Sequence, residues 1–398
     1  MNILKQGQRA GINYSGGSFE DFLALFGNGS EAGIEVTPTQ ARQMTAVSAC
    51  IKVISETLGQ ISADVYKNST NGKELAPTHS LFKIIHTSPN KIMTSTVFHQ
   101  TMAATALEMG NSYARIWRDK YMNVTELQII PFADVKVKLS EDKRSVYYEV
   151  EGIDKIFQSW EILHIKGPGY NGIVGYSPLR IHANALGLGL AEQQFASKYF
   201  ANGAVLSGLI TVPGKATPDI LERIRNTFQQ TFGSSKNANK TMVLDNGMTY
   251  QANSANAEQS QLLESRKFSV TEIARIFRVP PHMIGDLTQS TNNNIEHQGL
   301  EFSKYTMIPW VRRFEQEYNS KLFKENEKEI YFVRFNVESL QRGDTITRTK
   351  MYVQAIQNGW LSPNEARQME GFNKREGGDI YLTPLNMTTN PEENGQTK

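Results

Sequence analysis

The run GPGYNG at 167–172 is the first place in this sequence where chemistry is conceivable. Glycines in the pattern G-x-G-x-x-G after a strand, here EILHIK, can bring backbone N–H groups against a pyrophosphate. That chemistry needs the third glycine inside the following helix, and an acidic residue about 20 positions on at the end of a second strand. Neither is present. Ser177 and Pro178 set the helix start several residues past Gly172, and Glu192 falls in mid-helix. The pattern reads instead as a flexible glycine-rich hinge. A phosphate loop of the form G-x-x-x-x-G-K-[ST] is approached from Gly208 to Gly214 and Lys215. It has one spacer too many, and Ala216 stands where a metal-binding hydroxyl belongs.

The other reactive residue types are dispersed. The seven histidines form no H-E-x-x-H motif, there is no G-x-S-x-G, and no carboxylate pair stands out. His164 in a strand pattern and His182 in a helical one read as structural. The single cysteine, Cys50, excludes an intramolecular disulfide and a multi-cysteine zinc site, and reads as a small core residue. No catalytic residue, cofactor or metal is expected, and the chain reads as non-enzymatic.

A second stretch stands out for what it lacks. Gln289, Ser290, Thr291, Asn292, Asn293 and Asn294 form a polar strip with no charge before Glu296. By composition it is a loop of turn-forming residues. It separates VPPHMIG from a long helical pattern. The whole chain is nearly as neutral: 42 basic and 40 acidic residues leave a formal charge of +2. Proteins that grip nucleic acid through many phosphates carry a clear basic excess, so any nucleic-acid contact here should be weak, local or sliding. At 398 residues, with 39% hydrophobic and 21% charged content, the chain reads as soluble, globular and divided into two or three domains. The N-terminal MNILKQGQRAGINYSGG lacks a signal-peptide core, and ALGLGLA at 185–191 falls far short of the roughly 20 residues needed to span a bilayer. A cytoplasmic, reducing setting without a membrane span is expected.

The elements that position these stretches follow from periodicity. TPTQARQMTAVSACIKVISETLG predicts one helix, with Thr37 as N-cap, Gln40 completing a capping box, and Met44, Val47, Ile51, Ile54 and Leu58 on one face. A helix over 94–109 ends at Gly110, and strands follow through residue 166. Ser177 to Gly203 predicts one long helix whose middle is rich in Ala and Gly. Ala183, Gly187 and Gly189 there suit close helix packing, which must offset about 1 kcal/mol per glycine. Residues 204–257 form a compact α/β unit with an exposed tip at Lys236, Asn237, Asn239 and Lys240, followed by a helix over 258–278. The helical pattern over 295–325 places Leu300, Met307, Val311, Phe314, Tyr318 and Leu322 on one face, and Pro309 predicts a kink. A strand, EIYFVRFNV, and two helices close the chain; the second is opened by the capping box Ser362-Pro363-Asn364-Glu365.

In order, these pieces resemble the portal proteins of tailed double-stranded DNA bacteriophages, in the branch with long non-contractile tails. The resemblance is carried by TAVSACI, MGNSYARIWRD, LHIKGPGYNGIVGYSPL, FANGAVLSGLITVPG, RKFSVTEIARIFRVPPHMIG and NGWLSPNEARQMEG leading to GGDIYLTPLN, across 35–387. It implies an α+β portal fold. Residues 1–34 would be a flexible arm, and 35–176 with the strand at 326–337 a wing. Residues 177–203 and 258–287 would be two stem helices, with 204–257 a clip between them. Residues 288–294 would be a tunnel loop, 295–325 a kinked tunnel helix, 338–387 a short helical crown and 388–398 a flexible tail. The resemblance further implies a homo-oligomeric ring of about twelve copies at one capsid vertex of the virion, assembled in the bacterial host cytoplasm. Double-stranded DNA would pass through it. Its partners would be the large terminase subunit, a head-tail adaptor, and the major capsid and scaffolding proteins. On the residues alone, a nucleotide-dependent enzyme using GPGYNG and a virion scaffold component without DNA contact stay open.

Overall fold

The computed structural model describes residues 30, 32–69, 72–169, 171–201, 209–214, 217–232, 247–251, 256–287, 292–337 and 345–382. The chain divides into two compact units, residues 1–335 and 336–398.

The first unit opens with α1 (Pro38–Gln43) and α2 (Thr45–Gln60). The predicted capping box forms: Gln40 N donates to Thr37 Oγ1 at 3.2 Å, and Thr37 N to Gln40 Oε1 at 3.1 Å. The single helix predicted here breaks at Met44 (φ −70°, ψ 121°). Met44 is buried, with its Cε against Gly189. Packing of one apolar side chain thus overrides helix continuity. Val47, Cys50, Ile51, Ile54 and Leu58 are buried as their spacing requires. Burial pushes the Cys50 thiol up to about 12, as expected of a core residue.

β1 (Ala63–Ser69), β2 (Gly72–Leu75), α3 (Ser80–His86) and α4 (Ser95–Met109) follow. Then come β3 (Asn111–Arg118), β4 (Val124–Ile130), β5 (Val135–Leu139), β6 (Val146–Val150), β7 (Ile153–Gln158) and β8 (Ile162–Lys166). They form antiparallel sheets ordered β4-β3-β8 and β5-β6-β7. The predicted late strand is β11 (Tyr331–Phe335). It pairs with β1 in the register Val65↔Val333, so a segment far along the chain completes the first sheet, β11-β1-β2.

Three backbone segments cross beside β3. Gly110 ends α4 in a left-handed conformation (φ 82°), and a Cβ there would strike the backbone of Tyr176 and Ser177. A Cβ on Gly175 would strike Gly110 O and Gly167 N. Gly167 N donates to Gly110 O at 2.7 Å and Tyr176 N to Pro168 O at 2.9 Å. The glycine-rich run is therefore a clasp rather than the flexible hinge expected of it: its glycines exist to let backbones touch. Asn111 locks the clasp. Its Nδ2 donates to Gly175 O at 2.8 Å, and its Oδ1 accepts from Gly175 N at 2.7 Å and from His164 Nε2 at 2.9 Å. His164 Nδ1 in turn accepts from the Tyr148 hydroxyl at 3.1 Å. All three side chains are buried. The chain of donors fixes His164 as the neutral Nε2–H tautomer, and burial holds its pKa well below the ordinary value, followed by the nearby charges of Lys166 and Lys321.

The predicted long helix from 177 is interrupted at His182 (φ −100°, ψ 28°), which separates α5 (Pro178–Ile181) from α6 (Ala183–Ala201). The Ser177 hydroxyl caps Glu108 O on α4 instead of its own helix. Ala183 is buried. A Cβ on Gly187 would strike Ser30, and one on Gly189 would reach Met44 Cε at 2.7 Å. The small residues thus admit the N-terminal segment of this same chain, and at Gly189 also Ser269, 3.8 Å from such a Cβ. β9 (Leu209–Thr211), α7 (Pro218–Phe232) and β10 (Thr249–Gln251) follow, with β9 antiparallel to β10. α8 (Asn256–Phe277) returns beside α6. The two are joined by buried Glu192, which accepts from the hydroxyls of Ser265 and Ser269.

In the second unit, α11 (Thr345–Gln357) and α12 (Pro363–Met369) are joined through Glu370. It accepts from Arg348 Nε at 2.7 Å and from the Tyr352 hydroxyl at 2.8 Å. The Ser362 capping box forms as predicted, and Asn364 holds Arg375 from both sides of its amide.

Replacing Asn111 with Ala leaves His164 Nε2–H and the Gly175 amide buried without partners. We expect a loss on the order of 3 kcal/mol of unfolding free energy, measured by urea titration of the unassembled chain; a loss near zero contradicts the clasp. Acid supplies a second check. Burial lowers the pKa of His99 to about 4 and holds that of His164 well below its ordinary 6.5. The folded state therefore binds fewer protons than the unfolded state. Stability is complete above about pH 6.5 and is lost as pH falls from there, on the order of 3 kcal/mol for His99 alone by pH 4. His99→Gln should flatten the slope of stability between pH 6.5 and 5.

Candidate functional site

The uncharged strip is held between two elements whose ends are fixed. On its N-terminal side, α8 stops at Phe277. Arg278 turns left-handed (φ 55°), and Val279 N donates back to Ala274 O at 2.9 Å. Pro280 and Pro281 cannot continue a helix. A 3-10 turn over Pro281–Ile284 ends at Gly285 (φ 89°). On its C-terminal side, α9 runs from Asn292 to Glu301. His282 Nδ1 pairs with Gln298 Oε1 at 2.8 Å, tying the turn to α9.

The structure places the predicted strip residues as follows. Gln289, Ser290 and Thr291 lie outside the described residues. Asn292, Asn293 and Asn294 were expected in the loop, but their backbone forms the first turn of α9. The clip-tip residues Lys236, Asn237, Asn239 and Lys240 also lie outside the described residues.

Between Asp286 and Glu301 the sequence carries three acidic residues and no Lys or Arg. Of the described basic residues on the flanking helices, Arg312 pairs with Glu315 at 2.9 Å and Lys321 with Glu317 at 3.0 Å, whereas Arg275, Arg278 and Lys304 are exposed and form no ion pair among the described residues. Lys321, buried, also donates to Ile162 O at 2.8 Å, and burial lowers its pKa. Within 286–301 itself the sequence offers a polyanion no Lys or Arg.

The expected kink is a register change. Phe302–Met307 form a π-helical segment, followed by α10 (Ile308–Lys321), with Pro309 in its first turn. Pro309 has no N–H to give the carbonyl four residues back, and its ring crowds that carbonyl. The widened turn relieves the clash: Ile308 N reaches Ser303 O instead. One inserted residue rotates everything before it by about 100°. Met307, Val311, Phe314, Tyr318 and Leu322 are accordingly buried as predicted, while Leu300, before the shift, is 55% exposed.

α10 is pinned along its length. Tyr318 donates to His99 Nε2 at 2.8 Å, Phe335 N to Glu315 Oε1 at 2.9 Å, and Val333 N to Asn319 Oδ1 at 2.6 Å. Thr306 in the π segment donates its hydroxyl to Arg278 O at 2.6 Å, joining the end of α8 to the helix across the strip. Sequence reasoning missed Thr306, Arg278 and the His282–Gln298 pair. Only Pro309 signalled an irregularity here.

Among the described residues no group of three or more His, Cys, Asp and Glu could hold a metal ion. Residues 45–371 match the family described as phage portal protein. The chain belongs to that family. The chain is 29% identical over 378 residues to the probable portal protein of Streptomyces phage phiC31, covering 91% of this chain and 82% of that protein. It is 28% identical over 366 residues to the portal protein of Enterobacteria phage HK97, covering 89% and 86%. A crystal structure of an HK97-family phage portal protein from Corynebacterium diphtheriae has the same fold, with a TM-score of 0.57 at 16% identity over 78% of this chain and 98% of that one. So does a chain from the neck of a native gene transfer agent particle computed with C12 symmetry, with a TM-score of 0.58 at 18% identity over 87% and 95%. The α+β portal fold implied by the resemblance is thereby confirmed, and the DNA-conduit role is the standard one for this family.

Thr306→Val, which keeps the side-chain shape, should cost on the order of 1 kcal/mol of unfolding free energy and speed hydrogen exchange at the end of α8. No change in either would show that Thr306 does not join the two helices.

Proposed function

We propose that this portal protein closes into a ring of about twelve copies at one capsid vertex, and that residues 288–294 line the passage for double-stranded DNA during packaging and ejection. The C12 symmetry of the related neck particle supports the ring. On this reading 35–176 with 326–337 is the wing, 177–203 and 258–287 the stem, 204–257 the clip, 295–325 the tunnel helix and 338–387 the crown. The clip, with Lys236, Asn237, Asn239 and Lys240 at its tip, meets the large terminase subunit and then a head-tail adaptor. The wing and crown meet major capsid and scaffolding protein.

The observation that carries the reading is the uncharged strip, which follows α8 and runs into the start of α9 in a stretch without Lys or Arg. A loop touching a moving polyanion must not hold it. Each lysine paired with a phosphate tightens binding and makes it salt-dependent, whereas hydroxyl and amide contacts exchange quickly. The chain acts as a structural conduit rather than an enzyme, because the glycines at 167 and 169 are already closed on backbone at Gly110 and Val174.

Changing Asn292, Asn293 and Asn294 together to Lys should leave ring assembly intact and lower the fraction of DNA-filled heads. DNA binding by the rings should gain a salt dependence of roughly 0.9 log units per log salt for each lysine engaged. Assembled variant rings that package normally would sink the gliding-loop reading.

A further inference from the structure

The resemblance leaves 1–34 as an arm, yet residues 18–27, SFEDFLALFG, carry a pattern that an idle arm does not need. Ser18 and Asp21 stand at capping-box spacing, and Gly27 suits a helix end. Phe19, Phe22, Leu23 and Phe26 recur at i, i+3, i+4 and i+7, the spacing of one helical face. A helix this short does not hold alone in water, and its apolar face needs a cover. The segment lies outside the described residues, but the point at which it must arrive is fixed.

Ser30 sits against α6 at Gly187. Its N donates to Ile34 O at 3.2 Å, and Gly33 N donates to Ser30 O at 3.0 Å. The Ser30 hydroxyl has no hydrogen-bond partner among the described residues, and the arriving segment can supply one. Gly27 precedes Ser30 by three residues, so the segment ends within about 10 Å of that contact. A groove of about 330 Å³ opens there. Ile34 and Leu190, one turn on from Gly187, line it, and Gln194, Ser197 and Lys198 continue it along α6. A cavity of about 150 Å³ takes one benzene ring, so the groove has room for two phenylalanine side chains. The lengths agree, since Gly187 to Lys198 spans about 16 Å of α6 and a helix over 19–26 is about 12 Å long. Charge agrees as well. A segment ending near Gly187 and starting near Lys198 brings Glu20 and Asp21 to Lys198, which is exposed and forms no ion pair among the described residues. We propose that residues 18–27 fold into a short helix in this groove on α6 of the same chain, antiparallel to it, with Phe22 and Phe26 inside. The short tether selects the chain's own segment over a neighbour's. The proposal stands apart from the ring reading.

The test is maleimide labelling of Gln194→Cys in the full-length protein, dilute enough to stay as single chains; Cys50 is buried and adds little background. We expect labelling at least about tenfold faster once Phe22→Ser and Phe26→Ser are introduced together. Labelling that is already as fast with the segment intact overturns the proposal, because the groove is then open. Labelling that stays slow in the Phe variant also overturns it, because something else covers the groove. Hydrogen exchange of the unaltered protein gives a readout that needs no substitution. Amides of 22–27 should exchange at least about tenfold more slowly than in the synthetic peptide 18–27; exchange at the peptide's rate overturns the proposal. Protection that falls on dilution, or that appears only as rings form, assigns the groove to a neighbouring copy and overturns docking within one chain. Single chains report on the segment whether or not rings form, so its failure and that of the ring reading stay distinguishable.

Discussion

The amide of Asn111 holds the backbone of Gly175 and the imidazole of His164 at once, beside the point where the backbones of Gly110, Gly167 and Gly175 meet. Its oxygen and nitrogen take both polar groups of Gly175, while His164 and Tyr148 complete the line behind it. Glycines at 110, 167 and 175 are what allow the backbones so close. Because every donor and acceptor in the line is partnered and buried, the geometry is strongly specified, and removing one member leaves others stranded. The clasp sets where α5 begins, and Ser177 ties that start to the end of α4. It therefore governs how α6, and α8 beside it, leave the β-rich part of the molecule.

From that base, the helix that follows the neutral strip is divided into a fixed half and a lightly held half. α10 is bonded to β11 and α4 through Glu315, Asn319 and Tyr318. α9 has the His282–Gln298 pair, exposed Leu300, and open space around Gly299. The π segment lies where the two halves meet, and such segments recur at functional sites. A conduit loop needs a firm base and a tip free to adjust to passing DNA. The change of helical register at Pro309 supplies the boundary between them.

Much of this was legible in the sequence because it rests on local rules. The capping boxes at Thr37 and Ser362, the end of α4 at Gly110 and the buried face from Met307 to Leu322 follow from residue type and spacing alone. What was illegible depends on contacts between distant residues. Met44 breaks a continuous helical pattern because Gly189 offers it a seat. GPGYNG looks like a hinge until Gly110 is placed against it. Leu300 fits a helical face only if no residue is inserted between it and Pro309. The strip itself was visible as composition, but its frame of Arg278, Thr306, His282 and Gln298 involves pairings across 16 and 28 positions that no periodicity encodes.

The central claim is that identical copies enclose a bore lined by groups too weakly attracted to phosphate to stall DNA. Electron microscopy of purified rings at side-chain resolution tests it most directly. The account predicts a through-channel whose narrowest point is formed by residues 288–294, with no unpaired Lys or Arg at that level. A particle without a central opening, or a constriction lined by free cations such as Arg275 and Arg278, would contradict it.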